Sequence, residues 1–215
     1  MRPDVVLIDN VDSFTHNIAH ALVEGGARCR ILPHDALAPD RIWELGWEGL
    51  VIGPGPCTPR EAGVTLALVE RLLDAPVPRP ALGICLGHQA LAMAGGARLR
   101  RARRAVHGAV VAMRHDGRGC LGDLPDPCDV ARYNSLVVDE ASLPDSLVAC
   151  GWDEDGEVMA LRHRDRPLEG IQFHPESWLT RRARPLFRRW VRSLRPNADA
   201  ATSDMACTGS SGRAG

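Results

Sequence analysis

The sequence contains no lysine, and arginine supplies all 26 of its basic side chains. This absence excludes a lysine Schiff base or a P-loop lysine as the centre of the chemistry. Long apolar runs are also missing: residues 4–9 and 80–86 are among the longest, and both are far too short to span a bilayer. With 27 acidic residues the net charge is only −1, so no basic surplus points to nucleic acid or to an anionic membrane as a partner.

Cysteine is present, but its pattern excludes two common roles. The seven cysteines are scattered and odd in number, and no two form a C-x-x-C pair. This argues against a disulfide framework and against a zinc site, so we predict no metal. The apolar run Val5–Ile8 comes almost at once, without a cationic secretory leader before it. We therefore expect a reduced, cytoplasmic protein in which most cysteines are small buried hydrophobes.

The first half of the chain alternates between short apolar runs and segments with helical spacing of apolar residues. This alternation predicts an α/β fold with an open, mainly parallel sheet and helices on both faces. The predicted strands are Val5–Ile8, Cys29–Leu32, Gly49–Ile52 and Ala81–Ile84, and the predicted helices are Asn17–Glu24, Pro39–Leu45, Gly63–Leu73 and His88–Ala94.

The second half is richer in strands, which predicts that the sheet is mixed. Its predicted strands are Val106–Met113, Asp129–Arg132, Leu147–Cys150, Val158–Leu161 and Gly170–Phe173, and Arg184–Leu194 reads as a terminal helix. After Pro196 the chain has almost no large apolar residue. We therefore expect one domain over residues 1–195 and a disordered tail over 196–215.

Gly83-Ile84-Cys85-Leu86-Gly87 has the form of a nucleophile elbow, with cysteine where hydrolases often place serine. A buried strand is predicted before it and a helix after it. The glycines permit the sharp turn, and the positive end of the helix dipole favours a thiolate at Cys85. Taken alone, these five residues also fit a core cysteine in a glycine-rich turn.

His174-Pro175-Glu176 follows the last predicted strand and supplies the groups that a cysteine nucleophile needs. Proline disfavours the helical conformation for His174, and residues two apart in an extended segment project to the same side. Glu176 can therefore orient the imidazole of His174, as the acid does in other triads. A lone histidine is more often structural, but the pairing with the elbow favours Cys85, His174 and Glu176 as a catalytic triad.

Five stretches of the chain together resemble the class I (triad-type) glutamine amidotransferases, in the branch that serves anthranilate and aminodeoxychorismate synthases. The likeness runs from about residue 4 to residue 194 and implies that family's α/β fold. The stretches are Asp9–Thr15, Pro54–Pro59, Gly83–Gln89, Arg132–Leu136 and Phe173–Ser177.

The resemblance also implies roles for individual residues. Cys85 matches the nucleophile, with His174 as base and Glu176 as its orienting group, and the N–H groups of Gly55 and Leu86 match the oxyanion hole. Matches to the family's contacts with the substrate glutamine are Gly55, Pro56, Cys57, Gln89, Ser135 and Leu136. Without the family, helix capping or an ordinary polar surface position is the preferred interpretation of Gln89 and Ser135.

Two further features need separate treatment. In Asp9–Thr15, Asp12 or Ser13 suits the cap of the next helix, and the resemblance adds only a branch-specific signature near the partner surface. At Asn134 the chain departs from the family, which usually has histidine there. The departure leaves the triad untouched.

The activity that the resemblance implies is hydrolysis of L-glutamine, with ammonia passed to a chorismate-binding synthase subunit in a heteromer. No cofactor is expected in this subunit, although the partner is expected to need Mg. Cys57, where dedicated anthranilate subunits tend to have glycine, favours the aminodeoxychorismate (folate) synthase as partner over the anthranilate (tryptophan) synthase, or one subunit serves both. The alternatives are a non-catalytic scaffold and a free-standing γ-glutamyl hydrolase.

Overall fold

The computed structural model describes residues 1–194, so the predicted tail lies outside the described residues. The strands are β1 (Asp4–Asp9), β2 (Arg28–Pro33), β3 (Gly49–Ile52), β4 (Ala81–Ile84), β5 (Leu99–Arg101), β6 (Ala109–His115), β7 (Cys128–Arg132), β8 (Leu136–Val138), β9 (Leu147–Asp153), β10 (Val158–His163) and β11 (Leu168–Ile171). The helices are α1 (Thr15–Glu24), α2 (Pro39–Trp43), α3 (Thr65–Asp74), α4 (Leu86–Ala94) and α5 (Pro185–Ser193).

One nine-stranded sheet organises the chain, in the order β2-β1-β3-β4-β11-β10-β9-β6-β7. The first five strands of this order pair in parallel, and each of the remaining four is antiparallel to the strand before it. Since β9 and β7 thereby run in the direction of the parallel five, seven of the nine strands share one direction. The predicted mixed, mainly parallel α/β sheet is confirmed.

Helices cover both faces of the sheet. Successive side chains of β1 enter different cores: Val5 and Leu7 pack with α1 and α5, while Val6 and Ile8 pack with α2, α3 and α4. The alternation explains why β1 reads as an unbroken apolar run, since a parallel strand covered on both sides has no face left for polar residues.

Several predicted boundaries in the second half were wrong. The strand predicted over 106–113 begins only at Ala109, and Gly108 takes φ +76° where the chain turns into β6. No sequence pattern indicated β5 and β8, which pair as a separate two-stranded sheet. Each has three residues, too few to establish a period. Among residues 1–194, no helix is both long and apolar enough to cross a membrane.

Candidate active site

Cys85 occupies a sharp turn between β4 and α4. It has φ 52° and ψ −97°, a backbone conformation that is unfavourable for a residue with a side chain. Its N–H donates to the Ile171 carbonyl of β11 at 2.8 Å, and its side chain is largely buried. The thiol therefore lies at the carboxyl edge of the parallel strands and at the positive end of α4.

The two glycines of the elbow are required by close backbone contacts. A Cβ atom on Gly87 would come within 2.2 Å of the Ile52 carbonyl oxygen at the end of β3. One on Gly83 would come within 2.4 Å of the backbone of Gly87. The first turn of α4 is thus pressed directly onto the neighbouring strand, which fixes the position of Cys85.

His174 and Glu176 form a buried pair next to this turn. His174 Nδ1 lies 2.7 Å from Glu176 Oε1, as the two-residue spacing predicted. Burial lowers the pKa of His174, but contacts with Cys85 and Glu176 outweigh burial and raise that pKa well above its ordinary value. The other ring nitrogen of His174, Nε2, has no hydrogen-bond partner within residues 1–194. It is therefore free to exchange a proton with the thiol. The arrangement favours an imidazolium at His174, held beside the sulfur of Cys85.

Two aromatic rings enclose the imidazole of His174. The Tyr133 ring packs edge-on at 4.9 Å between centroids, and the Phe14 ring does so at 5.8 Å. Phe14 also occupies the cap position of α1, where its own side chain makes no capping hydrogen bond. The predicted capping role of Asp12 is confirmed in part, since its carboxylate accepts from the Phe14 N–H at 2.8 Å, whereas Ser13 makes no such bond among the described residues. The Asp9 carboxylate also holds this turn, since it accepts from the Thr15 hydroxyl at 2.7 Å.

One predicted oxyanion donor belongs to the elbow itself, and the other lies in the chain that follows β3. Leu86 is the first residue of α4, and Gly55 is packed so tightly against Asn10 that a Cβ would meet it at 2.5 Å. Neither N–H donates a hydrogen bond to any group of residues 1–194. A free N–H at a helix start is the usual consequence of helix geometry, and it can donate to a substrate oxygen.

The predicted glutamine-binding residues do not all meet. Gln89 is buried, and its Nε2 donates to the Leu136 carbonyl at 3.0 Å, which brings two of them together. Pro56, Cys57 and Ser135 are exposed at the surface. Their predicted contacts with glutamine run through the main chain, so exposure of these side chains does not conflict with that role.

Asn134 is buried beside this group and does not reach the thiol. Its Nδ2 donates to the same Leu136 carbonyl at 2.9 Å, and its Oδ1 accepts from Arg132 Nε at 3.2 Å. The Arg132 guanidinium is itself fully buried against Asp153. Asn134 therefore ties the 132–136 segment to a buried ion pair, which is a structural role.

Sequence reasoning missed two buried residues in this part of the structure. One is Gln172, whose side chain contacts both Cys85 and Gln89. The other is His88 on α4, with both ring nitrogens unpartnered among the described residues. The register of two parallel strands could have indicated Gln172. Ile171 of β11 pairs with Ile84 of β4, so the residues that follow them, Gln172 and Cys85, lie side by side.

Because His88 is buried, we expect the folded protein to lose stability in mild acid. Burial lowers its pKa to about 4, although the nearby Gly170 backbone opposes the shift. The unfolded chain protonates His88 near pH 6.5, so its contribution is complete above that pH and is lost as pH falls towards 4. The expected loss between pH 7 and pH 5 is about 2 kcal/mol of unfolding free energy. Urea denaturation at both pH values measures it.

The matched variant is His88→Met, whose side chain is similar in length but is apolar and cannot titrate. His174, whose pKa is raised, acts with the opposite sign, so the difference between wild type and variant isolates His88. An equal loss of stability in both proteins, or an NMR titration in which the His88 ring protonates near pH 6.5 in the folded state, would contradict the prediction.

Comparison with known proteins gives a consistent result. Residues 6–193 match the family described as "Glutamine amidotransferase class-I". The chain is 47% identical to "Anthranilate synthase component 2" of Azospirillum brasilense over 80% of this chain and 87% of that protein. It is 45% identical to "Aminodeoxychorismate synthase component 2" of Serratia marcescens over 85% and 96%.

Two further relatives extend the comparison. "Aminodeoxychorismate/anthranilate synthase component 2" of Bacillus subtilis is 38% identical, over 89% of this chain and 97% of that one. A crystal structure assigned to one of the GMP synthase subunits of Thermoplasma acidophilum superposes with a TM-score of 0.79 at 25% identity, covering 95% and 98% of the two chains. Sequence and structure thus agree along nearly the whole length, and the chain belongs to the class I glutamine amidotransferase family.

Proposed function

We propose that this chain is the glutaminase subunit of a chorismate-using synthase: it hydrolyses L-glutamine and passes the ammonia to a chorismate-binding subunit. The observation that carries the proposal is the Cys85 elbow placed against the buried His174–Glu176 pair, with 2.7 Å between Nδ1 and Oε1. A non-catalytic scaffold has no need to keep a strained cysteine beside an imidazole whose pKa is raised.

In the first half-reaction the Cys85 thiolate attacks the side-chain amide carbon of glutamine. The C–S bond forms, and the carbonyl electron pair moves to oxygen, where the N–H groups of Gly55 and Leu86 stabilise the charge. His174 gives its proton to the amide nitrogen, the C–N bond breaks, and ammonia leaves. The product on the enzyme is a glutamyl thioester.

In the second half-reaction water attacks the thioester carbon while His174 takes a proton from it. The C–S bond then breaks, the thiolate returns, and glutamate leaves. Glu176 keeps Nδ1 of His174 occupied throughout, so that Nε2 alone exchanges protons with sulfur, nitrogen and water. All steps use groups of this chain, the substrate and one water molecule.

Three of the relatives support a partner subunit, since those of Azospirillum brasilense, Serratia marcescens and Bacillus subtilis are each named a "component 2" of a synthase. Ammonia released to solvent is lost to the second reaction, so hydrolysis alone serves no purpose. We infer that the chorismate-binding subunit shifts the elbow and the Gly55 turn towards the aligned arrangement by binding that arrangement more tightly. The described cysteines are free thiols, which fits our placement of the pair in the cytoplasm.

For the partner itself we propose the aminodeoxychorismate (folate) synthase, on the narrow ground of Cys57 in the Pro54–Pro59 turn. The 47% identity to an anthranilate synthase component favours the second candidate, tryptophan synthesis, and the relative named for both favours a shared subunit.

The test mixes the purified chain with each chorismate-binding subunit of the same organism, and follows both glutamate release and the aromatic product. We expect slow hydrolysis by the chain alone and at least tenfold activation by the aminodeoxychorismate partner. Activation by the anthranilate partner alone would overturn the folate assignment. A chain that is fast by itself and indifferent to both partners would overturn the coupled-subunit proposal.

A further inference from the structure

Gln172 lies directly against the reacting sulfur. It follows the last residue of β11, and its backbone N–H donates to the Met159 carbonyl at 2.8 Å, which anchors the main chain. The side chain is fully buried, and its Nε2 lies 3.5 Å from Cys85 Sγ. Neither the triad nor the predicted glutamine contacts assign a role to this residue.

The orientation of the Gln172 amide is fixed by a chain of hydrogen bonds. The Leu136 carbonyl can only accept, so the end of Gln89 that faces it at 3.0 Å must be the NH₂ group. The same NH₂ group lies 3.1 Å from the Gln172 amide, which must therefore present its oxygen to Gln89. It follows that the NH₂ group of Gln172 is the end that points at Cys85 Sγ.

The other end of this chain is equally fixed. The Leu136 carbonyl also accepts from Asn134, whose Oδ1 accepts from Arg132, a side chain that can only donate. The Arg132 guanidinium is held by Asp153. Hydrogen bonds thus connect the buried Arg132–Asp153 ion pair, on β7 and β9, to the Gln172 amide that contacts the sulfur.

We propose that Gln172 is a further catalytic residue of the glutaminase reaction, one that donates a hydrogen bond to the Cys85 thiolate and holds Sγ in place for attack on glutamine. The inference rests on the proposed function of Cys85. A hydrogen bond to a charged acceptor is stronger than one to a neutral acceptor, so Gln172 favours the thiolate over the thiol.

Other ionisable groups lie on the segments around Cys85, and their effects must be separated from that of Gln172 in any titration. His174 approaches with Glu176 behind it, and His88 is one helical turn further along α4. His174 favours the thiolate as a cation, whereas the buried and neutral His88 contributes no charge. Both remain in place when only Gln172 is changed.

The first experiment compares wild type with Gln172→Met, which keeps length and apolar bulk but removes the amide. The control is Met159→Leu, an apolar core swap on the adjacent strand β10 that keeps the backbone carbonyl to which the Gln172 N–H donates. Iodoacetamide alkylation of Cys85 is followed by peptide mass spectrometry across pH. We expect Gln172→Met to lower the alkylation rate at pH 7 about tenfold and to move the half-maximal rate to higher pH, with the control unchanged.

The second experiment uses the fact that Gln89 and Gln172 are the two glutamines of the whole chain. A side-chain ¹⁵N-glutamine label therefore gives two NH₂ signals, which through-space contacts in the wild type assign: Gln89 lies against Leu136, and Gln172 lies against Cys85. In wild type the Gln172 signal should shift along the same pH curve as Cys85 alkylation, and it should move again when Cys85 is alkylated. This measurement stands even if the variant fails to fold.

The outcomes separate this proposal from the proposed function. An unchanged alkylation profile in Gln172→Met, or a Gln172 signal that ignores both pH and alkylation, would overturn the role of Gln172. If wild-type Cys85 reacts no faster than the exposed Cys57, it is the nucleophile assignment that fails instead.

Discussion

Cys85→Ser should reduce glutamine-dependent synthesis by at least about 10³-fold, while synthesis from added ammonia by the partner complex stays near the wild-type rate. A serine hydroxyl in this turn is not ionised at neutral pH, and it cannot replace the contact with the Cys85 side chain that raises the pKa of His174. The ammonia-dependent reaction bypasses the thioester altogether. The two activities should therefore separate completely.

The matched control is Cys29→Ser, the same substitution at a half-buried cysteine on β2, far from the elbow. Burial raises the pKa of Cys29 to about 11, so it carries no thiolate at neutral pH. Glutamine-dependent rates of control and wild type should agree. A Cys85→Ser complex that still used glutamine at a near wild-type rate would refute the triad.

Glu176→Gln should lower the glutaminase turnover of the complex by about 10³–10⁴-fold. The carboxylate accepts from Nδ1 of His174 in a buried setting, where its charge offsets the cost of a buried imidazolium. Glutamine can take either tautomer of the ring as a partner and brings no charge. Both the tautomer and the protonated state of His174 are then lost.

Steady-state kinetics with the partner present measures the effect, with the KM for glutamine expected to change much less than turnover. Glu70→Gln, on the exposed side of α3, is the same chemical change without a buried partner and should leave turnover unaltered. A turnover loss below tenfold in Glu176→Gln would show that His174 is oriented by something else.

Sequence patterns predicted the parallel half of the fold because its strands are buried on both faces. Val5–Ile8 and Ala81–Ile84 are continuous apolar runs bounded by turns, and such runs identify a strand without reference to its neighbours. The elbow and the His174–Glu176 pair could be predicted for a similar reason, since each depends on spacing within one short segment.

The parts that were missed depend on contacts between distant segments. The pairing of β5 with β8 joins residues more than thirty apart, and neither strand has a pattern of its own. Gln172 acquires its significance only from the register of β11 on β4. At the start of α1, the Asp9 carboxylate at the end of β1 assists Asp12 because it reaches several donors of the turn. The local periodicity of the sequence cannot predict contacts between such distant segments.

The contact between Gly87 and the Ile52 carbonyl has a genetic consequence. The obstacle to any larger residue at 87 is backbone, 2.2 Å from a Cβ, and no substitution at 52 can remove a carbonyl oxygen. At Gly95, by contrast, the nearest obstacle is the Leu147 side chain at 2.6 Å, which a smaller residue at 147 would relieve. Damage at 87 can therefore be repaired only by true reversion, whereas damage at 95 is open to second-site suppression. Replacement of glycine at the elbow therefore has no compensating substitution, whereas replacement at the far end of the same helix does.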